Sequence, residues 1–267
     1  MRGLYQDGEI GMTFSAAATQ DLTGKVAIVT GATSGLGRRF AQILSAAGAT
    51  LVVTGRRVEK LESLTAELKE SGGRVLPVEL DVTDINSIEQ CVQAAEAEFG
   101  AIDVLVNNAG MNVQAFAVDI TPEEYDAVMS TNLRGAFFMA TRVGKKMIDR
   151  GEGGSIINIA SMGAHTVLPA LATYCMSKAG IAMMTQSLAH EWARYRVNVN
   201  AICPGYIETE INSEWFGTDG GKRQIKKWPR RRLGQDSDLD GMVLLLASAQ
   251  GRGMTGTVLS IDDGQSL

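Results

Sequence analysis

The chain has 267 residues, 45% hydrophobic and 21% charged, which suits one α/β domain with a sizeable core. Its net charge of −5 argues against general nucleic-acid binding. Cys91, Cys175 and Cys203 have the spacing of neither a metal site nor a disulfide framework, and no apolar run reaches the length of a membrane span. Reduced thiols, no metal and a cytoplasmic setting are the expectations.

Residues 1–20 mix glycine, polar and isolated apolar positions without a basic-then-apolar leader, and read as a flexible tail in which Met12 is a second candidate start. Residues 21–267 read as one domain. An apolar strand, Val26 to Thr30, runs into Gly31-Ala-Thr-Ser-Gly-Leu-Gly37 and then a helix. Such glycines let the backbone turn tightly and approach a pyrophosphate at a helix N-terminus. Their spacing is not the Gly-x-Gly-x-x-Gly of the standard dinucleotide motif, and an ordinary strand-to-helix turn is the other reading.

Further strands are expected at Leu51–Thr54, Val75–Leu80, Val104–Asn107, Ser155–Ala160, Val197–Ile202 and Val258–Ile261. Val58, Leu61, Leu64 and Leu68 recur at helical spacing, as do Ile85, Ile88, Val92 and Ala95, and an apolar helix spans Leu239 to Ser248. Fully apolar strands alternating with helices predict a Rossmann-like, doubly wound parallel sheet of about seven strands with helices on both faces. A site is then expected at the carboxyl ends of the strands.

Tyr174 and Lys178 stand four apart, on one helix face, and Ser161 lies upstream. An ammonium beside a phenol favours the phenolate and lowers its reference pKa of ~10, while a serine hydroxyl can hold a carbonyl oxygen. Alone, the pair also reads as a packed tyrosine and a solvated lysine.

Thr30-Gly-x-x-x-Gly-x-Gly37, Asp81-Val82, Asn107-Asn-Ala-Gly110, Asn132, Ser161, Tyr174-x-x-x-Lys178 and Pro204-Gly205 follow one another along the chain. With these motifs in that order, the sequence from about Leu22 onward resembles the single-domain branch of the short-chain dehydrogenase/reductase family. The resemblance implies a catalytic tetrad of Asn132, Ser161, Tyr174 and Lys178. It implies cofactor contacts from Gly31, Thr33, Ser34, Gly35, Leu36, Gly37, Arg56, Asp81, Val82, Asn108, Ala109, Gly110, Tyr174, Lys178, Pro204, Gly205, Ile207 and Thr209. A substrate lid at about 207–232 and assembly into a homotetramer or homodimer are implied as well.

Where an NAD enzyme needs a carboxylate for the adenosine 2′-hydroxyl, the chain offers Thr54-Gly55-Arg56-Arg57. An arginine can bind a 2′-phosphate bidentately, so NADP is expected over NAD, with Arg56 as the phosphate ligand by the family pattern. Asp81 is expected at the adenine edge, or as the cap of the helix beginning near Asp84. In carbonyl reduction Ser161 would hold the oxygen, Tyr174 would protonate it, Lys178 would lower the tyrosine pKa and grip the ribose, and Asn132 would hold a water. Asn132 on a solvent face is the bland reading.

Lys222 to Arg232 carries seven cations in eleven residues. Arg230 and Arg231 exceed the family pattern and could attract a carboxylate, phosphate or thioester; a solvated surface or a subunit contact is the alternative. Trp215, Phe216 and Trp228 could line a pocket or anchor the lid. The family often ends its last strand with Asp-Gly-Gly, whereas this chain reads Ile261-Asp-Asp-Gly-Gln. The functional expectation is an NADPH-dependent interconversion of carbonyl and secondary alcohol, similar to 3-oxoacyl-thioester reductases. Sugar, steroid or cyclic alcohol dehydrogenases share the motifs, and a non-catalytic NADP-sensing protein is the reading from another class.

Overall fold

The computed structural model describes residues 20–208 and 213–267; the tail with its Met12 alternative, and Thr209, lie outside the described residues. Strands β1 (Val26–Val29), β2 (Thr50–Gly55), β3 (Val75–Glu79), β4 (Val104–Asn107), β5 (Gly154–Ile159), β6 (Val197–Pro204) and β7 (Val258–Ile261) form one sheet in the order β3-β2-β1-β4-β5-β6-β7. Every neighbouring pair is parallel. The chain reverses its direction of winding between β1 and β4, so the crevice of this α/β sheet opens beyond the carboxyl ends of those strands.

Because side chains alternate along a strand, each central strand feeds two cores. Ile28, Val52 and Leu105 face one side, where they meet Ile88 of α3 (Ile85–Phe99), Val143 of α5 (Ala136–Arg150) and Ile181 of α6 (Ala172–Trp192). Val29, Val53 and Val106 face the other, against Phe40 of α1 (Gly35–Ala46), Leu64 of α2 (Val58–Glu70) and Val243 of a helix at 240–247. Pro77 is tolerated because β3 is an edge strand. Polar groups under the central strands form a chain of bonds: Asn107 donates to Asn158 Oδ1 at 3.0 Å, and Asn158 donates to Thr185 Oγ1 at 2.9 Å.

Local signals set the ends. Asp84 caps α3 by accepting the Asn86 N–H, and Gly100 closes it in a left-handed conformation. Thr121 and Glu124 form a capping box at the start of α4 (Pro122–Met129). Between α4 and α5 the backbone runs through a π-helical segment, Ser130–Gly135. Segments of that kind recur at functional sites. After β6 come α7 (Ser213–Gly217), α8 (Asp219–Lys227) and α9 (Asp240–Ala247), the last preceded by a 3-10 turn at Asp236–Leu239. The strand boundaries fall close to expectation, β6 running on to Pro204 rather than stopping at Ile202.

Candidate active site

The ends of β1 and β4 are stitched together by Thr30, whose hydroxyl accepts the backbone N–H groups of Asn108 at 2.9 Å and Ala109 at 3.0 Å. Asn108 Nδ2 returns a bond to the Thr30 carbonyl at 3.0 Å. This closeness dictates glycine: a Cβ on Gly31 would lie 2.9 Å from Ala109 Cα, and one on Gly37 only 2.3 Å from the Gly31 oxygen. Ser34, at the start of α1, makes no side-chain cap bond, and the first turn carries no acid. Its N–H groups are therefore left for an anion, and the Gly31–Gly37 cradle, with Gly35 and Leu36 between, fits a dinucleotide pyrophosphate.

Where the family pattern points to Arg56, the structure brings Arg57 onto the glycine loop. The Arg57 guanidinium donates from Nη2 to Thr33 Oγ1 at 2.6 Å and to Ser34 Oγ at 2.8 Å. Arg56 is exposed and makes no such bond to the loop, and its charge helps hold Asp81 ionised. The larger cause at Asp81 is the Thr83 backbone N–H, 2.9 Å from Oδ1, which keeps the carboxyl below its usual range. Asp84 caps α3, so the capping alternative for Asp81 falls away. Val82 is buried against Gly135, where a Cβ would lie 2.7 Å from the Val82 carbonyl.

Ser161 follows β5; its hydroxyl accepts the Gly163 N–H at 3.0 Å and lies beside the Tyr174 phenol. Lys178 is 5% exposed; its Nζ donates to the Ile159 carbonyl at 2.8 Å and sits 5.6 Å from the centre of the Tyr174 ring. Burial pulls the ammonium down to about 8. The expected lowering of Tyr174 by Lys178 is not what the geometry yields. Burial pushes the phenol above its ordinary value, and the Ser161 hydroxyl beside it opposes this only in part. Desolvation acts on both groups, and one hydrogen of the ammonium is directed at the Ile159 carbonyl.

Asn132 lies in the π-helical segment, 1% exposed, which removes the solvent-face reading. Its Oδ1 accepts the Met111 N–H at 2.8 Å, and its Nδ2 donates to the Met111 carbonyl at 2.8 Å and to Ser177 Oγ at 3.0 Å. Ser177 in turn donates to the Tyr174 carbonyl at 2.7 Å. Both amide hydrogens are thus engaged, leaving Asn132 only acceptor positions for a water. Gly110 fits between: a Cβ there would lie 3.3 Å from Asn132 Oδ1 and 3.6 Å from Lys178 Nζ. Sequence reasoning missed Ser177, although its spacing of three from Tyr174 places the two on neighbouring turns.

Beyond Pro204 and Gly205, Tyr206 is held by Gln265, whose Oε1 accepts the Tyr206 N–H at 2.7 Å and whose Nε2 donates to the Tyr206 carbonyl at 3.3 Å. The Tyr206 ring stacks on Trp228 with centroids 5.4 Å apart and meets Phe216 edge-on. Phe216 and Trp228 are buried anchors, while Trp215 is exposed. Ile207 is buried and bridges to Gly234. Arg230 lies 3.4 Å from Asp263, and Arg232 stands between Asp238 and Asp263 at 3.1 and 2.6 Å. Among the described residues no group of His, Cys, Asp and Glu is arranged to hold a metal, and no helix is long and apolar enough to cross a membrane.

A phenol, a hydroxyl and a buried amine thus converge beside a cradle for a dinucleotide, and known proteins place that arrangement. The family model for short chain dehydrogenases matches residues 25–219. The NAD-dependent glycerol dehydrogenase of Listeria innocua is 37% identical over 92% of this chain and 96% of its own. The 3-oxoacyl-acyl-carrier-protein reductase of Thermotoga maritima is 36% identical over 91% of this chain and 98% of its own. The crystal structure of a gluconate 5-dehydrogenase from Burkholderia cenocepacia, in complex with NADP and tartrate, superposes with a TM-score of 0.89. It is 34% identical and covers 93% of this chain and 97% of its own. The chain belongs to the short-chain dehydrogenase family and is an oxidoreductase of alcohol and carbonyl groups.

Proposed function

We propose that the protein interconverts a secondary alcohol and a ketone on a polyhydroxylated small molecule, with NADP(H) as the preferred cofactor. The observation that carries the reaction is the Ser161 hydroxyl beside the Tyr174 phenol, with the buried Lys178 Nζ 5.6 Å from the centre of the Tyr174 ring. NADP is supported by Arg57 and by the lack of an acid at the end of β2; a gluconate 5-dehydrogenase relative binds NADP, although a glycerol dehydrogenase relative is named for NAD. Those two relatives act on polyhydroxylated compounds by name. The thioester reading keeps one named relative and Arg231, but Arg230, the other arginine beyond the family pattern, faces Asp263 of this same chain, which weakens the support for an anionic substrate. A complete Asn132, Ser161, Tyr174 and Lys178 set speaks against a sensor.

A bound nicotinamide dinucleotide supplies or takes the hydride. Ser161 orients the substrate oxygen. Tyr174 gives that oxygen its proton in reduction and takes it back in oxidation; its raised pKa keeps the phenol protonated near neutral pH, as a donor requires. Lys178, pulled down to about 8, holds or releases a proton close to neutral pH. One of its hydrogens goes to Ile159, leaving two for a ribose. Asn132, fixed by Met111 and Ser177, keeps the floor beside Lys178 in place.

We also assign a cytoplasmic setting, from the three free cysteines, and a homotetramer or homodimer, from Phe137, Met176 and Met183 exposed along α5 and α6. The functional test is turnover followed by nucleotide absorbance against polyols, sugar acids, simple ketones and 3-oxoacyl thioesters, with each nucleotide. Turnover of a polyhydroxylated substrate, better with NADP(H), is expected. Turnover confined to thioesters or to steroids sinks the substrate assignment.

A further inference from the structure

The basic segment and the unusual end of β7 meet in one place. Asp263 adopts φ +55, a left-handed conformation that costs a non-glycine residue, at a position where the family resemblance leads one to expect glycine. Its side chain is only 16% exposed and takes two cations: Arg230 Nη1 at 3.4 Å and Arg232 Nη2 at 2.6 Å. The Arg232 approach lies off the hydrogen-bond axis of Asp263 Oδ2, so it is a charge contact rather than a directed bond. Arg232 also donates to Asp238 at 3.1 Å.

The turn around Asp263 is built to hold it there. Asp262 accepts the Gly264 N–H at 2.9 Å and is bonded to Ser266, and a Cβ on Gly264 would touch Pro229 Cγ at 3.4 Å. The residues that this turn grips, Pro229, Arg230 and Arg232, directly follow Trp228, whose ring stacks on Tyr206. Tyr206 comes two residues after β6 and lies close enough to Tyr174 for the two phenols to repel on ionisation. Asp263 is therefore linked to the proposed proton donor through Arg230, Trp228 and Tyr206.

We propose that Asp263 is a positioning residue that latches the 213–232 segment over the substrate site, acting through Arg230 and Arg232. The proposal rests on the reading of that segment as the cover of an oxidoreductase site. It assigns the first extra arginine to the latch and gives a reason for an aspartate in a conformation better suited to glycine. Arg231, at φ +51 and with no ion pair among the described residues, is the turn between the two latched arginines.

The test compares the full-length protein with Asp263→Gly, which relieves the backbone cost while deleting the charge, and Asp263→Asn, which keeps the shape. Glu89→Gln breaks a pair with Arg142, at 3.1 Å, elsewhere on the surface and serves as the control. Tryptic cleavage after Lys222, Arg223, Lys226 and Lys227, which do not pair with Asp263, is followed by mass spectrometry alongside KM for substrate, kcat and NADPH affinity. Both Asp263 variants should be cut about three- to fivefold faster and show KM raised by a similar factor, the scale of a partly exposed ion pair. NADPH affinity and kcat should hold, and the control should match the wild type. High salt should bring wild-type cleavage toward the variants. Equal cleavage rates overturn the latch, and faster cleavage with unchanged KM overturns its positioning role. A wild type that turns over no substrate defeats the functional reading instead, leaving cleavage to judge the latch.

Discussion

Asn132 and Ser177 meet at 3.0 Å, amide nitrogen to hydroxyl, and this bond ties the π-helical segment to the helix that carries Tyr174 and Lys178. Asn132→Ala removes it and leaves the half-buried Met111 N–H and carbonyl without their partners. A loss of about 1 kcal/mol is expected from each, the low end for a group that water partly reaches, with turnover reduced by at least ~10-fold. Thermal melting and steady-state rates on one preparation would check both; a variant with normal activity would confine Asn132 to a structural part.

Tyr174→Phe keeps the ring and deletes the proton donor. Turnover should fall by a factor of at least ~100 while NADPH binding is retained. Survival of activity would make Tyr174 a packing residue.

Cofactor choice is testable at Arg57. Arg57→Gln should weaken NADPH by about tenfold, one charge-assisted contact to a phosphate, and leave NADH nearly unchanged, with Arg56→Gln the milder change. Installing an acid at Gly55 meets an obstacle, since a Cβ there lies 2.7 Å from Thr33 Cγ2. The combination Gly55→Asp, Thr33→Ser and Arg57→Gln removes that methyl and should turn preference toward NADH. Fluorescence titration with both nucleotides gives the ratio; an unaltered ratio would place the 2′-phosphate elsewhere.

Stability should carry the mark of Lys178. Its pKa falls from 10.5 to about 8 on folding, so between those values the unfolded chain binds the proton that the folded chain has released. Raising the pH through that window therefore favours the fold. Cys91, raised from 9.0 to about 12, Cys203, also raised, and Tyr174 act in the opposite sense as their unfolded forms ionise, so the Lys178 contribution is read as a difference between proteins across roughly pH 8 to 10. The denaturant midpoint of Lys178→Met should fall more steeply, or rise less, with pH than that of the wild type, and identical profiles would show that the lysine is not desolvated.

Assembly is checked by light scattering at micromolar concentration. A mass of at least twice 28.5 kDa is expected from the apolar residues exposed on α5 and α6. A monomer mass refutes the oligomer.

The sheet was readable because its strands are short apolar runs, and Ile28 or Val106 can be placed from local composition. The proposed chemistry of Ser161, Tyr174 and Lys178 came from their place in the order of motifs that carries the family resemblance. What local sequence did not carry was direction and depth. Arg56 and Arg57 are neighbours of one type, and only the backbone entering α2 decides which reaches Thr33. The sign of the Tyr174 shift depends on burial, a product of the whole fold. Gln265 is 59 residues from the Tyr206 it holds, and nothing in either neighbourhood announces the other.

That last pairing has a consequence for the order of events during synthesis. The cradle at Gly31 and the side chains proposed to react, up to Lys178, are translated well before Gln265, and the two Gln265 bonds that hold the Tyr206 backbone form only once Gln265 arrives. A growing chain that contains every group of the proposed site therefore still lacks that support for the wall beyond β6. Competence arrives with the last strand and turn, so a nascent chain stalled short of them would hold the chemistry in an unfinished vessel.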